Sequence, residues 1–439
     1  MQNFEDVIKE DCFYVDKTPF IEDIEESNKY FFYIRPRRFG KSLTLSMLEN
    51  YYDINKKEDF DTIFGGLYIG ENPTPEHNTY LVIHLNFAEV DSGLDNYKEG
   101  LDTHCRLVFE DFCTRYAALL PKGTKEELKS EQGAIAQLRF LCQKCTEVKQ
   151  KIYLFIDEYD NFTNMILSSE EHLERYKGQT HGEGYLRRFF NTIKGAANTS
   201  LGRIFVTGVS PVTMDDLTSG FNIGTNYSLT PRFNEMTGFT EEEVREMLSY
   251  YAGVLPFNHT VDELIEIMKP WFDNYCFAIN SYGKTTMYNS IMVLNFVDNY
   301  IRNDYHIPNK MVETNIRIDY SKIRMLIRHD KEFAHDASII QELVTKGYTT
   351  GNLVENFPAD RINDPDNFLS LLFYFGLVTI DGEYKGSTKF IIPNEVVRDQ
   401  IYTYLLDTYR ENDLTFEQYD KNKLESRLAY DGDFKPYFD

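Results

Sequence analysis

The chain has 439 residues, enough for about two to four domains, and its 42% hydrophobic and 26% charged residues are typical of a globular protein. No apolar run approaches the ~18 residues of a membrane span and no secretion signal is present, so we predict a cytoplasmic protein with no membrane partner. The net charge of −24, from 46 basic and 70 acidic residues, counts against nucleic acid as the main ligand and leaves a local basic groove open.

The first predicted elements are a helix at residues 16–28, a strand at 29–34 and a second helix at 43–52. The turn that joins the strand to the second helix reads Arg-Pro-Arg-Arg-Phe-Gly-Lys-Ser at residues 35–42. A strand, a loop that ends in Gly-Lys-Ser and a helix, in this order, form the context of a phosphate-binding loop. A solvated basic turn before an ordinary helix is the alternative.

The residues at the end of this turn have the properties that phosphate binding requires. Backbone N–H groups at a helix start point at phosphate oxygens, and Gly40 lets the backbone approach them closely. Lys41 would reach the β- and γ-phosphates, and Ser42 would hold Mg²⁺. The usual pattern has glycine where this chain has Arg35. The residues predicted to contact nucleotide in this segment are Arg35, Pro36, Arg37, Arg38, Phe39, Gly40, Lys41, Ser42 and Leu43.

A second motif favours the phosphate-binding interpretation. Residues 151–156 are a nearly continuous apolar run that ends in Asp157 and Glu158, as in a strand buried on both faces of a parallel sheet. Acids at the carboxyl end of such a strand lie where ligands bind. Asp157 would hold Mg²⁺ through water, and Glu158 would polarise the attacking water as a general base. A strand followed by a polar turn is the alternative.

These two motifs, together with Phe-Tyr-Val-Asp-Lys-Thr at residues 13–18, resemble the AAA-ATPase-like family of bacterial and archaeal proteins. The resemblance covers nearly the whole chain, and the loop with arginine in place of the first glycine is itself the family's form. It implies a P-loop ATPase with ATP and Mg²⁺ as cofactors, in which Asp16 and Lys17 help to shape the nucleotide site. Further matching blocks lie at residues 206–210, 236–244, 271–275 and 391–397.

The same resemblance implies an effector, because the family's ATPase module usually precedes a PD-(D/E)XK-type nuclease domain. The C-terminal part has no acid followed by a Glu-x-Lys triplet except near Glu383 and Lys385, which lie in a predicted wing, so we expect the nuclease to be absent. The chain stops at Asp439, about where linker helices would lead into the nuclease. Cys276 and Pro211 stand where the family has basic residues, which argues against a basic sensor from those segments.

The fold class we predict is α/β, a P-loop NTPase of the additional-strand, catalytic-glutamate type. A strand predicted at residues 80–86 lies between the loop strand and the acidic strand along the chain, and Glu158 supplies the base. Helices cover both faces of the parallel sheet. The other elements predicted for this part are a linker at 65–79, helices at 96–120, 124–150 and 185–194, and a strand at 202–207.

A polar residue at the end of the strand at 202–207 would sense the γ-phosphate in related ATPases. Thr207 or Ser210 could have this role, and a plain strand-ending turn is an equal alternative. Arginines stabilise the charge that spreads in phosphoryl transfer, and no single one is assigned that role here. The candidates are Arg187, Arg188, Arg203 and Arg232.

The pattern changes after residue 237, which divides the chain into three predicted regions: a P-loop domain at 1–237, a helical lid subdomain at 238–330 and a winged-helix-like C-terminal region at 331–439. Thr240 and Glu243 have the spacing of a helix capping box. A helix at 366–375 and a hairpin at 378–393 predict the winged helix, for which protein docking is a better interpretation than DNA binding because the chain is acidic.

Three functional hypotheses follow. In the first and favoured one, Mg-dependent ATP binding and hydrolysis drive a conformational change that controls a C-terminal effector or a partner protein. In the second, the chain is a nucleotide-gated switch with little hydrolysis, and the third and least favoured is a DNA-binding module. A homo-oligomer is plausible for the superfamily.

Overall fold

The computed structural model describes residues 3–90, 97–161, 184–197, 199–212, 224–311 and 339–410. Its centre is a five-stranded sheet in the order β2-β3-β4-β1-β5, and all neighbouring strands are parallel. This confirms the predicted parallel α/β sheet. The strands are β1 Tyr30–Ile34, β2 Tyr80–Asn86, β3 Lys151–Asp157, β4 Leu201–Gly208 and β5 Thr225–Asn226.

The order of the strands places the two sequence motifs on either side of β4. β4 pairs with β1, the loop strand, on one side and with β3, the acidic strand, on the other. β4 therefore lies between these two strands in the sheet, although it follows both of them along the chain. β2, which separates them along the chain, lies at the edge beside β3. The register pairs Ile34 with Gly208 and Asn86 with Asp157. The carboxyl ends of the central strands therefore meet at one edge.

Both faces of this sheet are buried, as its apolar strands predict. In β1, Phe31 and Tyr33 join one hydrophobic cluster, whereas Phe32 and Ile34 join another on the opposite face. Helices α1 to α4 contribute side chains to the first cluster, and α6, α8 and α9 contribute to the second. The helices of this part are α1 Phe4–Lys9, α2 Phe20–Glu26, α3 Lys41–Tyr52, α4 Phe60–Phe64, α5 Tyr68–Glu71, α6 Tyr97–Arg115, α7 Thr124–Leu128, α8 Ala134–Glu147 and α9 Tyr185–Ala196.

Three predicted elements differ from the observed ones. The helix predicted at 16–28 begins only at Phe20, because the Asp16 carboxylate accepts hydrogen bonds from the Thr18 N–H and hydroxyl and so forms a turn there. The predicted linker at 65–79 contains the short helix α5. The helix predicted at 124–150 is two helices, which separate before Gly133 with its φ of 83°.

Three helices follow the sheet: α10 Glu241–Val254, α11 Val261–Phe272 and α12 Ser290–Arg302. They share a separate hydrophobic cluster that includes Met247, Leu264 and Phe296. The predicted capping box of α10 is confirmed: the Glu243 N–H donates to the Thr240 hydroxyl, and the Glu243 carboxylate accepts from the Thr240 N–H. α11 begins with a second such box.

Residues 339–410 form a small antiparallel sheet in the order β6-β8-β7 with three helices. The predicted helix at 366–375 and hairpin at 378–393 correspond to α14 and to β7 with β8. Residues 312–338 and 411–439 lie outside the described part. No helix in the described ranges is long and apolar enough to cross a membrane. The elements are α13 Ile339–Lys346, β6 Thr349–Gly351, α14 Pro365–Tyr374, β7 Thr379–Tyr384, β8 Ser387–Ile391 and α15 Glu395–Arg410.

Candidate nucleotide site

The loop between β1 and α3 has the backbone of an anion site. Gly40 precedes the first residue of α3 with a φ of 91°, a conformation that glycine adopts without strain. Arg38, two residues earlier, has a φ of 71°. Among the described residues, no acceptor takes a hydrogen bond from the backbone N–H groups of residues 39–42. These N–H groups and the positive end of the α3 dipole favour a phosphate at this point.

The Lys41 ammonium group bonds to the backbone of the same loop. Lys41 is 7% exposed, and its Nζ donates hydrogen bonds to the carbonyl oxygens of Arg35 at 3.1 Å and Pro36 at 3.2 Å. These bonds hold the positive charge beside the N–H groups. A phosphate in the loop would therefore meet both a fixed cation and backbone donors.

Ser42, Asp157 and Glu158 come together where the loop faces the end of β3. The Ser42 hydroxyl donates to the Asp157 carboxylate at 3.0 Å, and the Glu158 N–H donates to the other Asp157 oxygen at 2.8 Å. Burial raises the pKa of the Asp157 carboxyl, as does Glu158, whereas Lys41 and Ser42 oppose the rise. A hydroxyl and a carboxylate are oxygen donors that suit Mg²⁺, which takes further ligands from water and phosphate.

A cavity of about 420 Å³ lies over this loop, a volume within the range of small-molecule sites. Its polar lining includes Gly40, Lys41, Ser42 and Glu158, and the two loop arginines, Arg37 and Arg38, also face it. The rest of the lining is largely apolar and comes from the N-terminal segment, α3, the segment before α10, α10 itself and α12. These apolar residues include Phe13, Val15, Leu43, Met236, Phe239, Met247, Tyr251, Ile291 and Leu294.

Most of the apolar lining of the cavity could not be predicted from the sequence. A nucleobase needs apolar and aromatic surface beside a phosphate site. Phe13 lies in a motif that the resemblance had identified, but Tyr251 and Leu294 lie on helices that read only as lid core. No local pattern distinguishes a cavity-lining side chain on such a helix from a core side chain. Only the packing of distant segments brings them together.

Arg35 and Pro36 do not line the cavity, contrary to the predicted nucleotide contact. The Arg35 guanidinium is 1% exposed and donates to the carbonyl oxygens of Ser228 at 2.6 Å and Phe233 at 2.9 Å. It also lies 4.3 Å from the ring centres of Tyr33 and Phe277. Burial lowers the pKa of Arg35. The side chain therefore supports the loop from the protein core.

Of Asp16 and Lys17, the two residues of the N-terminal block that were predicted to shape the nucleotide site, only Lys17 lines the cavity. The Asp16 carboxylate accepts from the N–H groups of Thr18 and Tyr68, both at 2.8 Å, which holds the N-terminal segment against α5. The buried Lys17 ammonium donates to the Glu235 carbonyl at 2.8 Å and forms an ion pair with Glu243 at 2.5 Å. Lys17 thereby joins this segment to the capping box of α10.

Replacing Glu243 with alanine is expected to lower the free energy of unfolding by about 2–4 kcal/mol, since it removes a helix cap and the partner of a buried ammonium group. Urea unfolding measures this loss. Glu263→Ala is the matched control, because Glu263 forms the same capping box at α11 without a lysine among the described residues. Equal losses in the two variants would show that the Lys17 contact contributes nothing.

Thr207 and Ser210 lie near the site but outside its lining. The buried Thr207 hydroxyl donates to the Tyr33 carbonyl at 2.6 Å, a bond between β4 and β1. After β4, the Asp160 carboxylate accepts from the N–H groups of Val209 at 3.1 Å and Ser210 at 2.6 Å. The segment that carries Glu158 is thus tied to the end of β4. A γ-phosphate sensor among these residues stays a prediction.

Two of the candidate arginines are paired with acids. Arg203 is buried and forms an ion pair with Glu76 at 2.6 Å, and Arg232 pairs with Asp23 and Glu26 on α2. These contacts support a structural role for both. Arg187 and Arg188 lie on α9, and neither lines the cavity.

Comparison with known proteins gives a family for the part of the chain that holds the phosphate loop and the acidic strand. Residues 1–218 match the family model described as predicted AAA-ATPase. An uncharacterized protein in the vnfD 5′ region of Azotobacter chroococcum mcd 1 is 26% identical over 266 residues, which are 61% of this chain and 45% of that protein. The match therefore spans less than half of that relative's length.

This chain is also similar to solved structures at low sequence identity. Cdc6p of Pyrobaculum aerophilum is 12% identical with a TM-score of 0.33, over 86% of this chain and 88% of that chain. The ORC2 protein of Aeropyrum pernix in its ADP form is 12% identical with a TM-score of 0.37, over 88% and 92%. The same protein in its ADPNP-ADP complexes is 11% identical with a TM-score of 0.35, over 89% of this chain and 93% of that chain.

The family match covers both the loop at residues 35–42 and the acidic strand. Through residues 1–218, the chain belongs to the AAA-ATPase-like family of predicted AAA-ATPases.

Proposed function

We propose that this chain binds Mg·ATP in the cavity over the phosphate loop and hydrolyses it. The observation that carries this proposal is the direct contact between Ser42 and Asp157, 3.0 Å apart, beside Glu158 on the cavity wall. A loop hydroxyl, a strand carboxylate and a further carboxylate in one place are the groups that nucleotide hydrolysis requires. Membership of residues 1–218 in a family of predicted ATPases supports the same activity.

Each residue then has a distinct task. Lys41 and the N–H groups of residues 39–42 hold the phosphate oxygens and neutralise their charge. Ser42 and Asp157 would hold Mg²⁺, which would supply further charge neutralisation when bound. Glu158 orients a water for in-line attack on the γ-phosphorus and accepts its proton, while the bond from this phosphorus to the β–γ bridging oxygen breaks and ADP leaves. The apolar lining takes the adenine ring.

In this proposal, residues 238–330 act as a lid and residues 331–439 as a winged-helix-like module that docks a partner protein or an effector. The direct contact between the loop and this module supports such gating. A Cβ atom added to Gly376, two residues after α14, would lie 2.9 Å from the Pro36 side chain. A change in the loop on nucleotide binding would therefore reach the module without an intermediary.

The same contact favours a second candidate function, a nucleotide-gated switch that binds ATP and hydrolyses it little. The acidic character of the chain, with its net charge of −24, supports a protein rather than DNA as the partner. A homo-oligomer stays a prediction.

The first test is nucleotide binding by the Lys41→Met variant. We expect its affinity for Mg·ATP to be about 10- to 100-fold lower than that of the wild-type chain, because a charge-assisted hydrogen bond to phosphate is lost. Isothermal titration calorimetry measures both affinities.

Lys57→Met is the matched control, since Lys57 is exposed and lies beyond α3. Its affinity for Mg·ATP should equal that of the wild-type chain. Binding of Mg·ATP that is unchanged in Lys41→Met would place the nucleotide elsewhere and overturn the proposed site.

A further inference from the structure

Three successive carbonyl groups of the phosphate loop accept hydrogen bonds from residues outside the P-loop segment. The Arg37 carbonyl accepts from the Asn289 side-chain amide at 3.4 Å. The Arg38 carbonyl accepts from the Ser290 hydroxyl at 3.2 Å and from the Ile291 N–H at 3.4 Å. The Phe39 carbonyl accepts from the Gly238 N–H at 2.9 Å. The donors lie just before α10 and at the start of α12.

Together with the two carbonyls that Lys41 holds, five consecutive carbonyl groups, at residues 35–39, have defined donors. The peptide planes of the loop are therefore fixed on their carbonyl side. Because the carbonyl of one residue shares its peptide plane with the N–H of the next, fixing the carbonyls of Arg38 and Phe39 also fixes the direction of the Phe39 and Gly40 N–H groups. The N–H groups of residues 39–42 are those that lack a described protein acceptor.

The loop has a particular need for outside support. Arg38 has a φ of 71°, which is strained for a residue with a side chain, and the position of the usual first glycine holds the buried Arg35. Such a conformation persists only where its surroundings impose it. The side chains of Asn289 and Ser290, at the start of α12, bond the strained stretch at Arg37 and Arg38 through its carbonyls.

We infer that Asn289 and Ser290 are positioning residues that hold the phosphate loop in its binding conformation, an inference that rests on the proposed nucleotide site. Neither side chain needs to touch the phosphates for this role. Both would act through the backbone of Arg37 and Arg38. The affinity of the loop for nucleotide would therefore depend on α12, a helix outside the P-loop domain.

Asn289 also caps α12, since its Oδ1 accepts from the Met292 N–H at 3.3 Å. A simple deletion would therefore confuse loop support with helix stability. Asn289→Asp keeps a cap acceptor and removes the amide donor to Arg37. Ser290→Ala removes the hydroxyl donor to Arg38 without a change of charge, and Ser290→Thr restores a hydroxyl.

The test is the affinity for ADP, measured by calorimetry on the full chain. We expect Ser290→Ala and Asn289→Asp each to bind ADP about three- to tenfold more weakly, as the loss of one hydrogen bond implies, and Ser290→Thr to recover the affinity. Asn299→Asp, which adds the same charge farther along α12, is the control and should bind as the wild-type chain does. Thermal unfolding followed by the fluorescence of Trp271, the single tryptophan, should be unchanged in Ser290→Ala.

A second readout needs no nucleotide. Trypsin should cleave after Arg37 and Arg38 faster in Ser290→Ala and Asn289→Asp than in the wild-type chain or Asn299→Asp. Failure of the wild-type chain to bind ADP, with faster cleavage in the variants, would overturn the proposed function and leave the positioning role supported. Wild-type binding with unchanged ADP affinity and unchanged cleavage in both variants would overturn the inference alone.

Discussion

The Glu158→Gln variant is expected to bind Mg·ATP with the affinity of the wild-type chain and to hydrolyse it about 10²- to 10⁴-fold more slowly, the usual contribution of a general base. Glu158 lines the cavity beside Lys41 and Ser42, and the Asp157 carboxylate accepts its backbone N–H. The substitution keeps the shape of the side chain and removes its capacity to accept a proton. Calorimetry measures the affinity, and a coupled phosphate assay measures the rate.

Glu246→Gln is the control for this prediction, because Glu246 is an exposed carboxylate on α10. Its hydrolysis rate should equal that of the wild-type chain. If Glu158→Gln hydrolysed ATP at the wild-type rate, Glu158 would not be the base and the proposed mechanism would be wrong at that step.

The second large effect concerns stability. Arg35→Met is expected to lower the free energy of unfolding by about 3–5 kcal/mol, because it leaves buried carbonyl groups without their donor. The guanidinium donates to three carbonyls, of Ile34, Ser228 and Phe233, and lies against two aromatic rings. Methionine fills much of the volume and donates no hydrogen bond. Urea unfolding measures the difference.

Arg37→Met separates this structural role from a role in nucleotide binding. Arg37 lines the cavity and is only partly buried, so its loss should weaken Mg·ATP binding with little change in stability. Arg35→Met should instead lower the stability strongly and change the affinity for Mg·ATP less than Arg37→Met does. A stability of Arg35→Met equal to that of the wild-type chain would contradict the assignment of Arg35 to the core.

The parts of the fold that local patterns encode could be predicted from the sequence. β1, the Gly-Lys-Ser loop and α3 follow one another directly, and β3 ends in its two acids, so short stretches contain the whole signal. The capping box of Thr240 and Glu243 is equally local and can be predicted in the same way. Ser42 and Asp157 were expected to share a metal, and their side chains are in contact.

The parts that depend on distant packing could not be predicted. From sequence alone, an arginine in a loop is expected to be solvated or to bind phosphate. Arg35 is a core residue only because Phe277 and the backbone of residues 228–233 pack against it. The order of the strands, with β4 between β1 and β3, arises from pairing that no single segment encodes. The contacts of Asn289 and Ser290 with the loop join residues about 250 positions apart.

The measurement that tests the central claim most directly is phosphate release from Mg·ATP by the purified chain, at a concentration that calorimetry shows to be saturating. Repeated turnovers in the wild-type chain, lost in Glu158→Gln and in the presence of EDTA, are the predicted result. Saturated binding with the ATP recovered intact would contradict hydrolysis and leave the nucleotide-gated switch as the function of this site.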